Sequence, residues 1–180
     1  MINKAQWKEI KKLGWKGPHS ANMPNELGDF LLHFLVNGLW SSNSENLILE
    51  MIQETKSIDV QNKIGSTPLM LCADTSSDIA LALIKKTKNI NTLDEDDCTA
   101  LHYAIGNPQS FQALLENGCD PFIITKRGYT VFDVLEESKE HMSEIQDNLD
   151  YLNRWVVENE KAKLNTLLSK TTFSKKKSKI

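Results

Sequence analysis

Long apolar runs are missing from this chain of 180 residues. No segment approaches the roughly 18 consecutive apolar residues of a membrane-spanning helix, so no span is expected. Residues 1–15 (MINKAQWKEIKKLGW) carry positive charge, but no continuous apolar core follows, which excludes a conventional secretory signal. Cysteine is scarce and unpatterned: Cys72, Cys98 and Cys119 form no CxxC pair and show no close zinc spacing. Free thiols in a reducing, cytoplasmic compartment are the state this implies. An excess of positive charge is also lacking, and the net charge of −3 gives no reason to expect a nucleic-acid partner. The basic charge is nearly all lysine, with arginine only at Arg127 and Arg154. No glycine-rich phosphate loop, HExxH or GxSxG is present, which argues against an enzyme and leaves no catalytic residue, cofactor or metal to assign.

What the sequence does contain is a repeated grammar. Three stretches share it: GSTPLMLCA from Gly65, DCTALHYAI from Asp97 and GYTVFDVLE from Gly128. Their threonines, Thr67, Thr99 and Thr130, stand 32 (99 − 67) and 31 (130 − 99) residues apart. A Gly or Asp suits a left-handed turn. Threonine then caps a helix, and Pro68 sits at the first helical position, where a missing N–H costs nothing. Leu69, Leu101 and Phe132 follow and face the core. Second helices are predicted over 78–86 (DIALALIKK) and 108–118 (PQSFQALLENG), with Gly118 ending the latter.

This pattern resembles the ankyrin repeat, whose period is about 33 and whose signature is T-P-L-H-x-A. The resemblance is best over 58–137, and LLENGCDPFIITKRGYTVFD matches the family from second helix through hairpin into the next repeat. It implies an all-α ankyrin-repeat solenoid of about four helix-pair repeats with hairpin connectors and a long C-terminal capping helix. The repeats occupy 28–138. A degenerate first helix is predicted in GDFLLHFLVNG (28–38), with Leu32 and His33 in the Leu-His places, and a second helix over roughly 44–54.

The flanks follow other rules. Residues 1–27 form an extension in which Trp7, Ile10 and Trp15 cover the first repeat; a basic membrane-surface helix is the alternative. From 139 to 170, Met142, Ile145, Leu149, Leu152 and Val156 make one stripe of a long helix. That stripe reads as a cap over the last repeat. A short dimerising coiled coil is the other reading, but Asn159 and Lys163 break the stripe after two heptads, so a monomer is favoured. Residues 171–180 read as a disordered basic tail.

The residues a chemist notices first are Cys98 and His102, four apart in CTALHYAI, with Asp94 to Asp97 (DEDD) just upstream. On one helix, Cys98 and His102 would share a face. The repeat pattern instead puts Cys98 in the connector and makes His102 the motif histidine, bonded to Thr99 and nearby loop backbone. Met70 and Asp133 hold the same place in other repeats, so no ligand set recurs. Cys72 and Cys119 read as buried small hydrophobes. DEDD lacks calcium-loop spacing and reads as an exposed hairpin tip. Aligned tips place Glu95 and Asp96 opposite Lys126 and Arg127, leaving Asp94 and Asp97, with Ile124 and Tyr129, for a partner carrying some positive charge.

The resemblance implies a non-enzymatic protein-binding module that works through its hairpin tips and concave helix face, with another protein as partner. Short, divergent ankyrin proteins of this composition look like those that intracellular bacteria deliver into host cells, which would place this one in host cytoplasm. A second resemblance, over 22–36, is to an F-box start: Pro24, Glu26 and Leu27 lead into a helix with Leu31 and Leu35 on its apolar face. It implies a ubiquitin-ligase substrate adaptor. A small enzyme with a site not evident in sequence is the third alternative.

Overall fold

The computed structural model describes residues 4–12, 30–37, 42–55, 58–75, 77–138 and 143–177. Trp15, Pro24, Glu26, Leu27 and Met142 lie outside these, as does the side chain of Trp7. Among the described residues there are nine helices: α1 (Lys4–Lys12), α2 (Leu31–Asn37), α3 (Ser42–Glu54), α4 (Pro68–Cys72), α5 (Ser77–Ile84), α6 (Ala100–Tyr103), α7 (Pro108–Glu116), α8 (Val131–Ser138) and α9 (Ser143–Lys177). No strand occurs among these residues, and none of the helices is long and apolar enough to cross a membrane.

The helices form two layers. In the inner layer α2 packs on α4, α4 on α6 and α6 on α8; in the outer layer α3 packs on α5, α5 on α7 and α7 on α9. Each inner helix also meets an outer one, α2 with α3, α4 with α5, α6 with α7 and α8 with α9. The result is four stacked helix pairs around one continuous core. Leu31, Leu35, Leu69, Leu101 and Leu135 face it from the inner layer, and Ile48, Leu83, Leu114 and Leu152 from the outer. Phe132 is only partly buried. It stands on the last inner helix, which has a neighbour on one side alone.

A boundary at 138 therefore divides a helix pair. Ile145, Leu149 and Leu152 of α9 are buried and Val156 is partly buried, against α7 and α8. Asn148 ties the same face down by donating from Nδ2 to the Ile105 carbonyl at 2.8 Å. So α9 begins as the outer helix of the fourth pair and then continues past it. Residues 171–177, expected within a disordered tail, remain helical. Lysine is a good helix former, and a nucleated helix gains one hydrogen bond for each residue added.

Local chemistry sets the ends of these elements. Asn107 caps α7 by accepting from Ser110 N–H at 3.1 Å, and Pro108 follows at the first helical position. At the other end Gly118 takes φ 88, Gly118 N–H donates to Leu115 O (3.0 Å) and Cys119 N–H to Leu114 O (3.0 Å). This is a Schellman closure, which needs the left-handed residue. The end of α3 is closed from the next repeat: the Lys86 ammonium donates to the carbonyls of Ile52 (2.5 Å), Gln53 (2.7 Å) and Thr55 (3.1 Å). A cation satisfies the last carbonyls of a helix and opposes its dipole.

Between pairs the chain makes three hairpin turns, at 62–66, 94–98 and 125–129. Each closes with the same two backbone bonds, Asn62 N–H to Ser66 O and Gly65 N–H to Asn62 O (3.0 Å each) in the first, with counterparts in the others. The penultimate residue of each is left-handed: Gly65 (φ 75), Asp97 (φ 60) and Gly128 (φ 85). Aspartate visits this region more readily than most residues. Successive tips are joined by backbone bonds, Glu95 N–H to Ile64 O (3.1 Å) and Lys126 N–H to Asp96 O (2.9 Å).

These contacts separate two glycines that look alike in sequence. A side chain at either Gly65 or Gly128 would have to hold a left-handed conformation, at about 1–2 kcal/mol. At Gly65 the new Cβ would also stand 2.9 Å from Asp94 Cα and Glu95 N, whereas at Gly128 it would meet nothing within 4 Å. Gly65→Ala should therefore lower the urea midpoint distinctly more than Gly128→Ala. Equal shifts would show that the first two tips do not approach this closely.

Candidate functional site

The tips and the inner helices share a junction. In every pair, the backbone N–H of the residue before the inner helix donates to the side chain three residues on. Phe30 donates to His33 Nδ1 (3.2 Å), Thr67 to Met70 Sδ (3.3 Å), Thr99 to His102 Nδ1 (3.1 Å) and Thr130 to Asp133 Oδ2 (2.7 Å). In two repeats the threonine hydroxyl returns the bond, accepting from Met70 N–H at 3.3 Å and from Asp133 N–H at 3.4 Å. This is the reciprocal capping box, with His, Met or Asp in the place of the usual Glu or Gln. Thr99 has the same extended backbone, but its hydroxyl lies 3.0 Å from His102 Nδ1.

Both histidines accept at Nδ1, so each carries its proton on Nε2. His33 uses that proton on the Ser66 carbonyl, 2.8 Å away in the next hairpin. His102 Nε2 is buried without a hydrogen bond; the backbone of Ile123 is near enough to favour its charged form but out of bonding geometry. Burial dominates, and holds the His102 pKa below the ordinary histidine value.

Cys98 does not share a helix with His102. It precedes Thr99 in the turn, where its N–H donates to Asp94 Oδ1 at 2.9 Å. Burial and the charges of Asp94 and Asp96 push its thiol up to about 11. Burial raises Cys119 to about 11 and Cys72 to about 12. A thiol must be ionised to attack or to bind metal, so these three are poor at either near neutral pH. Among the described residues, no group of three or more His, Cys, Asp or Glu side chains is placed to hold a metal ion.

Asp94 requires a correction. Read as an exposed partner contact, it is 8% exposed and fully engaged. Its Oδ1 accepts from Asp96 N–H and Cys98 N–H, both at 2.9 Å, and its Oδ2 accepts from the Tyr103 hydroxyl at 2.5 Å. Asn62 does the same work in the first turn, where Oδ1 accepts from Ile64 N–H (3.2 Å) and Ser66 N–H (3.0 Å). Thr125 does it in the third, accepting from Tyr129 N–H at 3.2 Å. Asp94 is thus the turn's internal acceptor. Burial, and then the same bond, raise the pKa of Tyr103.

The pairing of Glu95 and Asp96 with Lys126 and Arg127 also takes another form. Lys126 crosses to the second tip, but its ammonium bonds the Glu95 carbonyl oxygen and its amide the Asp96 carbonyl. The acidic side chains of that tip therefore stay outward, with Glu95 and Asp96 exposed and Asp97 partly so. Ile124 (61%) and Tyr129 (41%) are exposed, and Leu93 (40%) and Ile64 (50%) join them. Leu93 and Ile124 are 31 residues apart, the spacing of Thr99 and Thr130, so the repeat register could have found Leu93. Behind the tips, Phe34, Leu71, Tyr103 and Val134 each follow the side-chain acceptor of their repeat and line the inner helices, Tyr103 exposed and the others partly so. Leu31 and Leu35, offered as the apolar face of an F-box-like start, are buried in the stack.

A family model described as ankyrin repeats, in three copies, matches residues 21–125. The chain is also similar to the ankyrin repeat and LEM domain-containing protein 1 homolog of Caenorhabditis elegans, 39% identical over 62 residues. That match takes in 33% of this chain and 9% of the worm protein, so the chain spans a small part of its relative.

The lowered pKa of His102 fixes a sign. The unfolded chain protonates near pH 6.5 and the folded chain only at lower pH, so acidification through that window favours unfolding. His102→Gln keeps a side-chain acceptor at this position and removes the titration. Wild type should lose more stability than His102→Gln between about pH 7.5 and pH 5.5 in urea unfolding. Parallel losses would mean that His102 is not held neutral.

Proposed function

The chain belongs to the ankyrin-repeat family, whose members are generally protein-protein interaction modules, and we propose that it binds a partner protein non-enzymatically along its row of hairpin tips and the inner-helix face behind them. The observation that carries this reading is the distribution of exposed apolar side chains. Ile64, Leu93, Ile124 and Tyr129 all project from the hairpins or their edges, and Tyr103 from the inner layer beside them. Exposed apolar side chains grouped this way mark an interaction surface more than scattered ones do. The stacking bonds between tips hold this row rigid, so little ordering cost opposes docking.

Charge gives the row a polarity. The middle tip presents Glu95, Asp96 and Asp97, and the third presents Arg127 beside Ile124, the Lys126 ammonium being committed to the Glu95 carbonyl. A partner segment with positive charge facing the middle tip fits this order, steered by a field that salt weakens. Asp94 takes no part, because its carboxylate is spent within the turn.

Photo-crosslinking tests the surface. A benzophenone amino acid placed at position 93 or 124 should capture the same protein from cells, and one placed at position 153 on α9 should not. With the benzophenone at position 64 instead, the paired change Leu93→Lys with Ile124→Lys should abolish capture while the circular-dichroism melt stays put. Capture that survives this change, or that occurs equally from position 153, would move the binding surface elsewhere.

A further inference from the structure

The stack also leaves a recessed surface beside α9. A cleft of about 260 Å³ opens between the loop after α7 and the middle of α9. Asp120, Pro121 and Phe122 form one wall, and Trp155, Val156 and Glu160 form the other. Small-molecule sites usually begin near 300 Å³, so this space suits one inserted side chain better than a cofactor.

Its chemistry narrows the occupant. Phe122 is 53% exposed, yet its ring is held in place by stacking on Phe132, with centroids 5.8 Å apart. Trp155 offers a second aromatic surface, partly buried and braced by α9. Asp120 brings an exposed carboxylate to one wall, Glu160 a second that is already engaged, and the described residues of both walls include no basic group. Asp120 commits one oxygen internally, where Oδ1 accepts from Phe122 N–H at 2.9 Å, and this bond also fixes where the carboxylate sits. An apolar side chain would suit the rings but desolvate the acids. An ammonium would suit the acids, as a point charge with strong hydration. A guanidinium is planar, weakly hydrated and forked: it stacks on an indole face while donating to a carboxylate at its edge.

We propose that this cleft binds an arginine side chain of a partner peptide, stacked between Trp155 and Phe122 and hydrogen-bonded to Asp120. The proposal does not depend on the tip surface, and either site can be lost without the other.

The test follows the Trp155 indole N–H by nuclear magnetic resonance in the full chain, its signal assigned through Trp155→Phe. The probe is an acetylated, amidated hexapeptide with one arginine between two leucines and glycine elsewhere. Its control carries citrulline, the neutral isostere of arginine. The arginine peptide should shift the Trp155 indole and the amides of 118–122 saturably, more weakly at high salt. Citrulline in the peptide, or Asp120→Asn in the protein, should each weaken binding by about tenfold through loss of a charge-assisted hydrogen bond. Asp120→Asn keeps the acceptor for Phe122 N–H, and an unchanged melt will confirm that the fold is intact. Equal binding of the citrulline peptide would overturn the proposal, as would an unmoved Trp155 signal. So would concentration-dependent shifts of the same signals without peptide, together with a dimer in sedimentation, since a second copy would then fill the cleft.

Discussion

Every inner helix here hangs on one hydrogen bond, from the amide that enters the helix to the side chain three residues later. The helices need it because they are short: α6 has four residues and α4 has five. Segments of that length have no helical stability of their own in water. They persist because packing and the entry bond hold them. Thr99 is fully buried and Thr67 nearly so, and an unpaired buried amide would cost about 1–3 kcal/mol. The bond also sets the direction from which the chain enters each helix. That bond recurs where each hairpin meets its inner helix, and the tips join one another through backbone bonds. The tip row is therefore a consequence of the junction.

The sequence showed this architecture where a single residue type carries the signal. Thr67, Thr99 and Thr130, with Gly65, Asp97 and Gly128 beside them, set the period and the turns, and Gly118 marked a helix end. It misled where the requirement is a kind of atom. Met70 and Asp133 look like departures from a histidine motif, yet they supply the same acceptor as His33 and His102. Asp94 sits in a run of acids, and such a run normally reads as solvated. Its equivalence with Asn62 and Thr125 shows only when turns are aligned by their hydrogen bonds. Lys86 could not be read at all, because its partners are backbone carbonyls of another repeat. The boundary at 138 was misplaced because α9 serves first as an ordinary outer helix, and its length concealed that role.

The polar interior serves geometry more than chemistry. His102, Asp94, Cys98 and Tyr103 are types that recur in catalytic sites, and they lie near one another. Here the acid is saturated by two amides and a phenol, the thiol is held protonated, and the imidazole is buried neutral. Each is fixed by what it must accept or donate within the turn. What remains free to act is the surface around them: the apolar residues and outward charges of the tips, and the aromatic, acidic cleft beside α9. The first follows from the repeat, and the second from the extra length of α9.

The most direct test of the entry bond is the scalar coupling that passes through an N–H···N hydrogen bond. With uniform nitrogen-15 labelling near neutral pH, the Thr99 backbone nitrogen should couple to His102 Nδ1 and the Phe30 nitrogen to His33 Nδ1, both rings carrying their proton on Nε2. A His102 ring protonated on Nδ1, with no coupling to Thr99, would contradict the account.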